Sequence, residues 1–63
     1  MDKLTRDQYD ELQTQYERTP GIGEAMITGE HYILMAILNR FGYRPQGREA
    51  ALELAERLLS NGY

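Results

Sequence analysis

The run Tyr32-Ile33-Leu34-Met35-Ala36-Ile37-Leu38, closed by Phe41, is apolar around almost the whole circumference of the helix it predicts. A helix of that kind has to be buried on several sides. The chain has 63 residues to do the burying, and a domain of this size removes only about 60% of the surface its unfolded chain exposes. Small folds usually gain stability from disulfides, a structural metal or oligomerisation. With no cysteine and one histidine, disulfides, thiolate sites and a histidine zinc site are closed routes. Oligomerisation remains, so we expect no metal, no cofactor and a second copy of the chain as partner.

The absence of cysteine suits a reducing compartment. The apolar run is far shorter than the roughly 20 residues a spanning helix needs, and Met1-Asp2-Lys3-Leu4 has no hydrophobic core of a signal peptide. These features lead us to expect a soluble, cytoplasmic protein without a membrane partner. Net charge is −3 but unevenly placed. Residues 1–30 carry seven acids against three bases, 31–48 three arginines and no acid, and 49–63 three acids and one arginine, giving −4, +3 and −2. The whole is too acidic for a general nucleic-acid binder.

Three helices are predicted, over 5–18, 28–41 and 47–60, in one domain. Thr5-Arg6-Asp7-Gln8 has the spacing of a capping box, and Leu4 with Tyr9 that of a hydrophobic staple. Tyr9, Leu12 and Tyr16 then form a narrow apolar stripe, with Arg6 and Asp10 spaced to pair. Thr19-Pro20-Gly21-Ile22-Gly23 breaks the pattern. We read it as a loop with Ile22 and Met26 tucked under the bundle, although Thr19 and Pro20 can also open one short helical turn. Thr28 caps the second helix, and Gly42 supplies the left-handed residue at its end. In the third helix Ala50, Ala51, Leu52, Leu54, Ala55, Leu58 and Leu59 span a wide face, and Glu53 and Arg57 are spaced to pair. Asn61-Gly62-Tyr63 closes it, with Tyr63 placed for the hydrophobic contact of a Schellman motif, an ending expected of an intact domain.

The expected fold is therefore all-α, a small three-helix bundle with a central, largely buried second helix. Short connections favour antiparallel neighbours. Homodimerisation across helices 2 and 3 is expected to complete the bundle. Tyr32, Ile33, Leu34, Ile37, Leu38, Phe41, Leu52, Leu58 and Leu59 are its core or dimer residues.

Chemistry-bearing residues are sparse, and we expect no catalytic residue. Glu30 and His31 are adjacent, which on a helix points them ~100° apart. We read His31 as an ordinary first-turn residue, partly exposed. Ser60 has no neighbouring base, and Gly21-Ile22-Gly23 follows no strand. A helix-turn-helix through helices 2 and 3 is rejected, because Glu49, Glu53 and Glu56 would face the duplex.

Two surfaces remain. Arg40, Tyr43, Arg44 and Arg48 surround the second connection with no carboxylate among them, a pattern suited to phosphate or carboxylate. In the ordinary structural reading, Arg40 and Arg44 satisfy helix 2 carbonyls while Arg48 pairs with a helix 1 acid. Among the five tyrosines, Tyr43 is the expected partner contact, with Tyr9, Tyr16 and Tyr32 lining the core edge. The second surface is acidic, with Asp7, Asp10, Glu11 and Glu17 on helix 1 and Glu24 and Glu30 beyond it. The expected function is a non-enzymatic protein–protein interaction or regulatory module, homodimeric and binding a protein partner. The main alternative is an acidic inhibitor, of the mobile-element or phage type, that blocks a basic nucleic-acid-binding surface of a host machine. A third reading is an anion or RNA-fragment binder using the arginines.

Overall fold

Thr5 begins the first helix through side-chain bonds the sequence predicts. In a computed structural model that describes residues 3–21 and 29–63, the Thr5 hydroxyl accepts from the Gln8 amide at 3.1 Å. The Gln8 side chain accepts from the Thr5 amide at 3.0 Å. This reciprocal box satisfies two donors that a helix start leaves open. Helix α1 follows over Arg6–Arg18, α2 over Gly29–Arg40 and α3 over Arg48–Asn61. Each packs against the other two, forming a small all-α bundle. The expected Thr28 cap, the Ile22 and Met26 packing and Glu24 lie outside the described residues.

Helix α2 ends in a Schellman arrangement. The Tyr43 amide donates to the Leu38 carbonyl, and the Gly42 amide to that of Asn39, both at 3.0 Å. Gly42 sits at φ 101°, a conformation that costs other residues a steric clash. Helix α3 starts at Gly47, whose φ of 108° comes with no side-chain cap, so its first turn lacks the hydroxyl or carboxylate acceptor α1 enjoys. At its far end the Gly62 amide donates to the Leu59 carbonyl. Tyr63 reaches the first helix. Its ring meets that of Tyr9 edge-on at 5.0 Å, with the Arg6 guanidinium 5.8 Å from its centre.

The core gathers Leu4 and Leu12 with Leu34, Ile37 and Leu38 of α2 and Ala51, Leu52, Ala55 and Leu58 of α3. Leu12, Leu34, Leu38 and Leu58 are wholly buried, and each such side chain contributes about 1.5–3 kcal/mol relative to exposure. Tyr9, Tyr16, Phe41, Tyr43 and Leu59 are half-buried around it.

Side-chain pairings fix the helix directions. Glu11 meets Arg40 and Arg18 meets Glu30, so α2 runs against α1. Tyr9 meets Tyr63, while Tyr16 and Thr19 share a groove with Glu49 and Leu52, so α3 runs against α1 too. The expectation that sequential helices alternate in direction therefore fails for α2 and α3. Residues 41–47 reach up to about 25 Å when extended, enough to return the chain along α1 before α3 begins.

Among the described residues, no helix is long and apolar enough to cross a membrane.

Candidate functional site

A buried polar seam joins the end of α1 to the start of α2. Gln15 is 6% exposed. Its side-chain amide donates to the Glu30 carboxylate at 2.7 Å and the Glu30 carbonyl at 3.2 Å, with Thr19 Oγ1 at 3.4 Å. The Thr19 hydroxyl donates back to the Gln15 carbonyl at 2.8 Å. Arg18 adds a guanidinium 3.7 Å from the same carboxylate. His31, expected to be partly exposed, is 2% exposed instead. A carbonyl oxygen only accepts, so His31 Nε2–H donates to the Pro20 carbonyl at 3.1 Å. Position explains the burial, since His31, Leu34 and Leu38 stand at i, i+3 and i+7 on the inner face of α2. No described buried side-chain polar atom lacks a partner. The seam is thus a satisfied structural network, and it holds α2 at one rotation and one register against α1.

That rotation decides which side of the apolar run faces out. Leu34, Ile37 and Leu38 point inward, whereas Tyr32 is 63% and Ile33 46% exposed. Tyr32 therefore stands outside the core edge where the sequence placed it. Ala36 and Asn39 are exposed on the same side, and Arg40 is the only charged residue there. Beside this face lies an open groove of about 520 Å³ between α1 and α2. Ile33, Ala36 and Ile37 line it from α2, with Asp10, Glu11, Thr14 and Gln15 from α1 and Arg40 at one end.

The arginine connection is rearranged by its neighbours. Arg40 ion-pairs with Glu11, joining the two surfaces that the sequence set apart. Arg44 Nη1 donates to the Asn39 and Tyr43 carbonyls at 2.9 and 2.7 Å, as its ordinary structural reading expected. Arg48 is half-buried and takes part in neither of the ion pairs found among the described residues. Tyr43, the tyrosine expected at a partner, packs half-buried against the core. The exposed tyrosine of α2 is Tyr32.

The acidic surface divides as well. Asp7, Asp10, Glu11 and Glu17 are exposed along α1, while Glu30 is drawn into the seam. A smaller groove of about 330 Å³ between α1 and α3 has a polar rim of Glu49, Glu53 and Glu56. Among the described residues, no three His, Asp or Glu side chains are grouped so as to hold a metal ion.

Sequence reasoning missed Gln15 and Thr19, although a signal was present. With Leu12 and Tyr16 they occupy i, i+3, i+4 and i+7, so polar residues at apolar positions mark a buried network. Compared with known protein families, curated proteins and solved structures, the chain shows no match in any of the three.

Proposed function

We propose that this chain is a small, non-enzymatic protein–protein interaction module whose working surface is the outer face of α2 and its groove against α1. The carrying observation is that Tyr32, Ile33 and Ala36 stay open to solvent on a helix whose other apolar residues pack into the bundle. Apolar side chains lining a concave strip, with polar groups at its rim, have the composition of a binding surface.

The face is also where a homodimer would form, but its apolar part is confined to α2. Helix α3 has Ala51, Leu52, Ala55 and Leu58 in the core. Among the described residues the open apolar patch of this face comprises Tyr32, Ile33 and Ala36, whereas obligate dimer interfaces are broader and more hydrophobic, which favours a different protein that also grips the α1 rim. The acidic-inhibitor reading is supported by the exposed row of Asp7, Asp10, Glu11 and Glu17, and it uses the same side of the molecule. The anion-binder reading draws little support, because Arg40 and Arg44 already have partners.

A photo-crosslinking residue at Ala36, compared with one at Glu53 on α3, tests the assignment in cells. Adducts of defined mass at Ala36 alone, lost on Ile33→Glu, are the expected outcome. Equal adducts at both positions, or none at either, would overturn it.

A further inference from the structure

Resting on that reading, the geometry points to one occupant for the α1–α2 groove: a cationic amphipathic helix from another protein.

Ile33, Ala36, Ile37 and Arg40 line the groove from one side of α2, at the i, i+3, i+4 and i+7 spacing that two helical turns present. From Ile33 to Arg40 the strip runs about 10 Å at 1.5 Å per residue. A trough between two helices accepts the apolar stripe of a third helix, whose side chains recur at that spacing. Helical segments also satisfy their own backbone, so a groove walled by side chains suits them better than an extended strand.

Charge then selects among helices. The α1 wall of the groove presents Asp10 and Glu11, and Asp7 and Glu17 are exposed on the same helix. The one cation lining the groove is Arg40, and it ion-pairs with Glu11. A partner with lysine or arginine beside its apolar stripe meets this rim with opposite charge, whereas an acidic helix is repelled.

Charge also disfavours a second copy. A two-fold dimer sets like surface against like, which brings two α1 acidic rows toward one groove system. Arg18 and Arg40 already ion-pair, Arg44 binds carbonyls, and Arg6 lies over Tyr63. None of the chain's other bases lines the groove.

Two fluorescent helical peptides with the same leucine stripe, one flanked by lysines and one by glutamates, test the inference by anisotropy against the full chain. Saturable binding of the lysine peptide is expected, about tenfold or more tighter than the glutamate peptide, and weakening with added salt. Asp7→Lys with Asp10→Lys should weaken it by about tenfold or more, Ile33→Glu should abolish it, and Glu53→Lys should leave it within about twofold. Circular dichroism on each variant verifies the fold. Equal affinity for both peptides, unchanged binding in Ile33→Glu, or no saturable binding overturns the cationic occupant.

Light scattering across a dilution series separates this failure from failure of the parent reading. A dimer dispersed by Ile33→Glu overturns the cationic helix while leaving the α2 face as an interface. A monomer that neither binds the lysine peptide nor crosslinks at Ala36 overturns both.

Discussion

Helices α2 and α3 are both rich in apolar residues, yet their outer faces differ. On α3 the exposed side is Glu49, Glu53, Glu56, Arg57 and Ser60, and the apolar residues are buried or half-buried. On α2 the exposed side is Tyr32, Ile33, Ala36, Asn39 and Arg40. Two neighbours suffice to cover a wide apolar arc, as α3 shows, but not a helix apolar all round. The contrast teaches that composition alone does not locate a binding face. What matters is the apolar surface left over once the packing partners are in place.

Substitution by alanine tests the contrast most strongly. Leu38→Ala in α2 and Leu58→Ala in α3 empty wholly buried positions, and each should cost about 2–5 kcal/mol in urea unfolding. Ile33→Ala, on the open side, should stay within about 0.5 kcal/mol. A loss at Ile33 as large as that at Leu38 would break the comparison, because it would show the outer face already buried.

The next effect concerns what orients α2. Gln15→Leu removes the donor shared by the Glu30 carboxylate and carbonyl, and losing this part-buried bond to a charged group should cost about 1–3 kcal/mol. Urea midpoints at constant slope measure it. An unchanged midpoint would show that packing alone sets the rotation of α2.

Helix α1 covers both other helices, so its start affects them together. Thr5→Ala removes the capping box and should lower stability by about 1 kcal/mol, read from thermal melts followed at 222 nm. Smallest is the Arg40–Glu11 pair, whose side chains are largely exposed. A double-mutant cycle should give about 0.2–1 kcal/mol. A larger coupling would mean that Arg40, the one charge on the outer face of α2, is held more rigidly than a surface pair.

How much was legible follows from how far apart the interacting residues lie. The Thr5–Gln8 box and the turn at Gly42 are local, and both stand as read. Leu12, Leu34, Leu38 and Leu58 were legible because leucine at helical spacing has few other destinations. Arg44 on the end of α2 was foreseen for the same local reason. Gln15 with Glu30 and Glu11 with Arg40 lie fifteen and twenty-nine residues apart, and no periodicity within one helix announces them. The exchange of Tyr43 for Tyr32 as the open ring has a different origin. A helix apolar all round carries no sign of which side is in, so its rotation is set by groups outside it, here the seam to α1.

The seam has one more consequence, for how a partner would arrive. Because the Gln15 side chain binds both the main chain and the side chain of Glu30, α1 and α2 are fastened as a single body. Were a helix to dock there, a groove between two fastened helices would keep its width when empty, and little ordering would have to accompany contact. Loosen that fastening, and the same surface would have to be assembled anew at every encounter.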